Sequence, residues 1–281
     1  MVIAILIVLG LCLGSFVNAL TWRLHEQSLV KDKKKRKVLS VVKGRSQCSK
    51  CGHKLAAKDL VPLVSWLSLR GKCRYCHKPI QDSPLVEVIL PIVLVISYLA
   101  WPYAGLDNVW SNTEIAAFGG WVLLATGLLA LAVYDLRWYL LPDKIVFPLT
   151  TLGVVFVGLL VASYGGDWDV ARDAALGALV IFSIFYVLFQ VSGGKWIGGG
   201  DVKLAILLGL LAGGFLEALL LLFVASVLGS LYGVVLGTIG GQKMSRKLRI
   251  PFGPFLITAA FVVVLFGTDI VNWYSDLILS V

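Results

Sequence analysis

The sequence predicts an all-α polytopic membrane protein of about eight transmembrane helices, with a small cytoplasmic tetracysteine domain between helices one and two. Three observations predict it. Of the 281 residues, 58% are apolar and only 15% charged, where soluble domains carry about a quarter charged. That balance excludes a disordered or coiled-coil chain and argues against a soluble enzyme. The apolar residues gather in stretches of about 20, the length that crosses a hydrocarbon core as a helix. The intervening loops are short except for one polar block at 21–83, and that block holds four of the five cysteines.

In chain order the apolar stretches lie at 2–20, 84–103, 115–134, 145–164, 173–192, 203–215, 217–239 and 254–274. Gly213 and Gly214, with Phe215, are all that separate the sixth from the seventh, so the two read as a tight hairpin or one broken segment. The division expected is a first helix at 1–20, a cytoplasmic domain at 21–83 and a seven-helix membrane domain at 84–281. The net charge of +9 would raise the question of nucleic acid in a soluble protein. Here its placement matters more, because loops rich in Lys and Arg stay cytoplasmic. The block 21–83 holds 16 of the 25 basic residues, and alternation of eight helices puts 135–144, 193–203 and 240–250 on the same side with two, two and four more. Only Arg172 is left on the far face. The N-terminus is then outside and the first stretch is an uncleaved anchor, since no base precedes it and no small-residue cleavage site follows. The run Lys33 to Lys37 reads as attraction to anionic membrane lipid. No nucleic-acid partner is expected.

Within the block, Cys48-x2-Cys51 and Cys73-x2-Cys76 are separated by 21 residues. Two such knuckles at this spacing read as one tetrahedral zinc site, and a segment with so few core-forming residues needs a staple to fold. Disulfides are the competing reading, disfavoured in a reducing cytoplasm. His53 and His77 follow the knuckles, but four thiolates already complete the coordination. Cys12, in the first helix, reads as a packing residue.

Ionisable residues at membrane depth are costly and point to function. Asp135 ends the third stretch, ahead of Leu140-Leu141-Pro142-Asp143, and Asp201 follows Gly198-Gly199-Gly200 and precedes Lys203. The topology places both at the cytoplasmic face. Successive glycines permit close backbone approach, which would bring Asp201 to Asp135. Two carboxyl groups in contact share a proton, so one can act as base on water while the other polarises a carbonyl. Each has a bland alternative. Asp201 and Asp143 suit helix N-termini, and Asp135 could pair with Arg137.

These residues together resemble the bacterial prepilin peptidases, membrane aspartic proteases that remove the leader from type IV prepilins and type II secretion pseudopilins, many of which N-methylate the new terminus. Gly14-Ser15-Phe16-Val17-Asn18 with Arg23 resembles the family's opening motif. The four cysteines, Pro62 to Leu67, Arg70-Gly71-Lys72 and Pro84-Leu85-Val86-Glu87 resemble its cytoplasmic domain. Asp135 with Leu141-Pro142-Asp143 is similar to its first aspartate motif, and Gly198 to Asp201 to its second. Ser49 stands where the family often has proline, and Ser83 where a tyrosine is usual.

The resemblance implies that Asp135 and Asp201 are the catalytic pair, supported by Gly198, Gly199, Gly200 and Lys203, in a bacterial inner-membrane enzyme whose partners are prepilins or pseudopilins. It also implies S-adenosyl-L-methionine as methyl donor, because members that methylate carry the tetracysteine domain. Glu87 is the candidate residue near that cofactor. Asp143 or Glu87 would supply local acidity for a basic leader. Two other classes compete: a presenilin-like intramembrane protease without methyl transfer, and a non-enzymatic zinc-stabilised scaffold or transporter.

Overall fold

The computed structural model describes residues 1–32, 37–41, 44–80, 82–103, 110–239 and 251–279. Lys33 to Arg36 and the basic loop 240–250 lie outside them. The described residues are helical, with two isolated bridges, Gln47 to Lys54 and Lys72 to Pro79, in place of strands. The helices are α1 (Val2–Leu29), α2 (Val64–Ser68), α3 (Leu85–Leu99), α4 (Asn112–Trp138), α5 (Asp143–Ser163), α6 (Asp169–Ser192), α7 (Gly199–Ala212), α8 (Phe215–Ile239) and α9 (Gly253–Leu279). Every apolar stretch expected from the sequence is a helix. Six of the helices, α1, α4, α5, α6, α8 and α9, are long and apolar enough to cross a membrane.

The other two fall short of a full span. With 15 and 14 residues, α3 and α7 rise about 22 and 21 Å against a hydrocarbon core of about 30 Å. The break between α7 and α8 is a true helix end. Gly213 takes the left-handed conformation at φ 81, where a glycine closes a helix without steric penalty, and Phe215 begins the next. At the other end of the chain, α1 runs past its apolar stretch to Leu29, so the polar block opens as a continuation of that helix.

The chain forms two compact units, one of Met1–Leu99 with Ala125–Val133, the other of Ala100–Leu124 with Tyr134–Val281. In the first, α1 buries Leu6, Gly10, Gly14, Val17, Thr21 and Leu24, a stripe at helical spacing. Gly14 lies against α3: a Cβ there would come within 2.7 Å of the Glu87 Cα. Only a glycine lets the two backbones approach this closely, and the contact fixes the first turn of α3.

In the second unit α7 packs against α5, α6, α8 and α9. Apolar on all sides, it buries Val202, Leu204, Ala205, Leu207, Leu208, Leu211 and Ala212. A helix of that kind belongs in an interior, which explains how one too short to span can be held at membrane depth. Gly209 faces the Ala178 backbone of α6 and leaves no room for a Cβ.

Candidate active site and metal centre

Asp135 sits three residues before the end of α4 at Trp138 and is 6% exposed. The helix closes on Tyr139, left-handed at φ 56, whose N–H returns to the Asp135 carbonyl at 2.8 Å. Leu140, Leu141 and Pro142 then turn the chain into α5, and Asp143 is its first residue. That turn meets the start of α7. A Cβ on Gly200 would lie 3.0 Å from the Leu141 Cβ, so the glycine run serves close approach here. Lys203 Nζ reaches Asp143 at 2.7 and 3.0 Å. The two aspartate-bearing segments, far apart in sequence, are thus joined by an ion pair and by the packing of the Leu141 side chain against Gly200.

The carboxylates themselves are differently held. Asp201, in the first turn of α7, accepts the N–H of the N-cap Gly198 at 3.3 Å. From the third position of the helix it closes back on the N-cap N–H, as the acid of a capping box does, while lying within electrostatic reach of Asp135. Asp135 accepts the backbone N–H of Gly253, the first residue of α9. A Cβ on Gly253 would fall 2.6 Å from Asp135 Oδ2. Arg137, the sequence-level candidate partner for Asp135, lies over the Trp138 ring at 5.9 Å. Sequence reasoning missed Gly253. Its signal was Pro251-Phe252-Gly253-Pro254, a punctuated run directly before an apolar helix.

In the first unit the four cysteine sulfurs lie within 4.8 Å of one another. Cys48 Sγ and Cys76 Sγ are 3.9 Å apart, close to the roughly 3.8 Å expected for thiolates about 2.3 Å from a shared tetrahedral ion. The knuckles are built alike. Cys48 and Cys73 donate their N–H groups to the His53 and Lys78 carbonyls, and Gly52 and His77 donate back to the Cys48 and Cys73 carbonyls, each at 2.9 Å. Gly52 and His77 occupy the equivalent left-handed positions, φ 69 and 56. The cluster fits a metal ion: four thiolates this close repel one another, and a divalent cation relieves the repulsion.

His53 stacks on Tyr75 at 3.7 Å, away from any ligand role. Asp59 ties the linking segment to the second knuckle, accepting from Arg74 Nε at 2.7 Å and the Tyr75 hydroxyl at 2.9 Å. The hydrogen bond from Arg74 holds the Asp59 carboxyl below the usual carboxylate range. A depressed folded-state value means the tie is complete above the unfolded value of about 4 and is lost as pH falls through the folded one. Replacing Gly52 by Val puts a β-branched residue in a left-handed position, at roughly 1–2 kcal/mol. Amide exchange across 46–55 should then quicken by about 5- to 30-fold, measurable by mass spectrometry. No change would mean the knuckle tolerates another backbone.

Glu87, in the first turn of α3, belongs to this unit. Its Oε2 accepts the Leu63 N–H at 2.7 Å. Neither acid assigned to leader recognition is a bare charge: Glu87 is committed to a backbone donor, and Asp143 is neutralised by Lys203.

A polytopic helical membrane protein with two aspartates in electrostatic reach of one another and a tetracysteine cluster defines a class of membrane enzyme, and comparison with known proteins agrees. Residues 8–101 match the family model of the bacterial peptidase A24 N-terminal domain, and residues 122–234 match that of the type IV leader peptidase family. Proteins named prepilin leader peptidase/N-methyltransferase are similar over most of their length. That of Stutzerimonas stutzeri is 34% identical over 283 residues, covering 95% of this chain and 92% of its own. That of Pseudomonas aeruginosa is 33% identical over 285 residues, with 95% and 91% covered, and that of Aeromonas salmonicida 34% over 237, with 84% and 76%. No solved structure matches. The chain belongs to the type IV leader peptidase family. Both aspartates fall inside the matched region; Gly253 lies beyond it.

Proposed function

We propose that the chain cleaves the basic leader of type IV prepilins or type II secretion pseudopilins at the cytoplasmic face of the bacterial inner membrane, and N-methylates the new terminus. The observation that carries the peptidase reading is the union of the two aspartate segments: Asp135 beneath the Gly253 N–H, in electrostatic reach of Asp201, with Lys203 closing on Asp143. The division of the chain follows the same reading, with the anchor at 1–20, the cytoplasmic domain at 21–83 and the peptidase at 84–281.

In this mechanism Asp135 and Asp201 share one proton. The ionised carboxylate takes a proton from water as it attacks the scissile carbonyl; the protonated one donates to the carbonyl oxygen, and the proton then passes to the leaving amine. Gly198, Gly199 and Gly200 let α7 approach the α4–α5 turn, and Lys203 holds the two together. These are positioning roles. The Gly253 N–H orients the Asp135 carboxylate.

Gly253→Ala tests that last role. The added methyl displaces the carboxylate and costs a hydrogen bond to a charged group, about 1.5–3 kcal/mol. Cleavage of a prepilin-like peptide should fall by roughly 10- to 150-fold in protein that still folds, with the melting temperature lowered by several degrees, about 2–4 °C per kcal/mol. Wild-type cleavage would show that Gly253 has no part in orienting Asp135.

For the tetracysteine cluster the ion proposed is Zn2+, with Cys48, Cys51, Cys73 and Cys76 as thiolates. The S4 donor set is soft and its spacing tetrahedral, and the role is structural. The methyl donor is S-adenosyl-L-methionine, supported by the names of the relatives, with Glu87 as the candidate residue near it. Transfer of label from S-adenosyl-L-methionine to a precleaved substrate is the test, and its absence would reduce the protein to a peptidase.

A further inference from the structure

One end of the second unit gathers the end of α4, the start of α5, the end of α6, the start of α7, the end of α8 and the start of α9. Residues 134–144, 192–203 and 239–253 form it, with eight bases against three acids. Asp135 and Asp201 are two of those acids and belong to the reaction. Asp143 is the third, which makes it the one carboxylate here left to meet a cation on the substrate. A basic leader approaches such a face against repulsion, and Asp143 is already paired with Lys203.

The pair is built to exchange. The Lys203 and Asp143 side chains are 42% and 54% exposed, and ion pairs so open to water contribute little to stability. Lys203 also has a second place to rest. Its Nζ lies 5.5 Å from the centroid of the Phe147 ring, four residues along α5 from Asp143 and within cation–π range. The ammonium can therefore leave the carboxylate for the ring face without becoming bare. Its position along the chain fits as well. Lys203 follows Asp201 by two residues, about 200° around α7, which sets its partner apart from the catalytic pair by roughly the 10 Å diameter of a helix. An extended peptide covers that distance in about three residues. With the scissile bond at Asp135 and Asp201, a leader side chain about three residues upstream then reaches Asp143.

We propose that Lys203 is a resident stand-in for the leader: a basic side chain of the substrate displaces it from Asp143, and Lys203 withdraws to the Phe147 ring. The inference rests on the reading of the chain as a leader peptidase and names the residues that sense the leader's charge. A cationic leader replaces one ion pair by another and leaves no carboxylate unpaired. A neutral leader gains nothing from Asp143.

The test is competition between two prepilin-like peptides that differ only in carrying Lys or Gln in the leader, cleaved together by the full-length, metal-loaded protein in detergent. Their ratio of kcat/KM reports discrimination and is untouched by any loss that falls on both peptides alike. Wild type should favour the Lys peptide by about 2- to 5-fold, the range of an exposed ion pair, and less as salt is raised. Asp143→Asn should bring the ratio to about 1 by removing that pair. Lys203→Met uncovers Asp143 and should move the ratio the other way, to about twice the wild-type value, through a lower KM for the Lys peptide. Lys203→Arg holds a carboxylate more tightly and should lower the ratio, an arm that stands if the Met variant does not fold. A purely structural ion pair would give equal losses on both peptides and one ratio throughout. That result, or a wild type that cleaves both peptides equally well, overturns the exchange and leaves the peptidase reading in place. A wild type that cleaves neither peptide overturns both.

Discussion

Asp135→Asn and Asp201→Asn are each expected to lower cleavage of a prepilin-like peptide by at least about 10³-fold. Asparagine is nearly isosteric but neither takes nor gives a proton, and positioned acid–base groups contribute about 10²–10⁴-fold each. The choice of Asn over Ala matters for Asp201. Its carboxylate also accepts the Gly198 N–H at the start of α7, and the amide oxygen of Asn can still accept that N–H. Loss of activity in Asp201→Asn therefore cannot be ascribed to a frayed helix. The same holds for Asp135, since the amide oxygen still serves the Gly253 N–H. The measurement is initial rates on purified variants whose melting temperatures and metal content match the wild type. Retention of more than about a tenth of the rate in either variant would sink the two-aspartate mechanism. Methyl transfer to a precleaved substrate should persist in both.

The parts of this architecture that were legible in the sequence are those written in local pattern. Apolar runs of helical length marked the helices, and Cys48 to Cys76 announced the knuckles by spacing alone. Asp135 and Asp201 stood out because a carboxylate is expensive beside so much apolar surface. What the sequence did not disclose are contacts between distant residues whose own chemistry is mute. Gly253 carries no functional group, and its importance comes from the space it leaves for Asp135 Oδ2. The pairing of Asp143 with Lys203 is likewise set by packing, and it turned an expected acidic patch into a neutral pair. Hydropathy counted α7 among the spans although its stretch, 203–215, is short; the helix has 14 residues and ends at Gly213, one of the glycines that marked the break. Its all-round burial came from neighbours that periodicity within one helix cannot report.

Removing the metal should divide the two activities. Among the described residues from 44 to 80, Cys73 alone is buried, so this segment has no apolar core of its own. Its two knuckles are joined by the cysteine cluster and by one exposed tie, in which Asp59 bonds Arg74 and Tyr75 while His53 lies against the Tyr75 ring. That tie cannot substitute for the metal. Arg74 is substantially exposed, and ion pairs of that kind contribute about 1 kcal/mol or less, whereas structural zinc supplies about 10–16 kcal/mol to small finger peptides. Chelation, or Cys73→Ser, should therefore abolish amide protection throughout 44–80, while α5 to α9 keep theirs. The hold of the Leu63 N–H on Glu87 goes with it. Methyl transfer should fall by about 10²-fold or more, and leader cleavage by no more than about threefold. Exchange mass spectrometry and the two assays, run on one chelated sample, decide the matter. Should cleavage fall as far as methyl transfer, the cysteine segment would have to support both chemistries. The aspartates would then depend on a metal that nothing in their own unit requires.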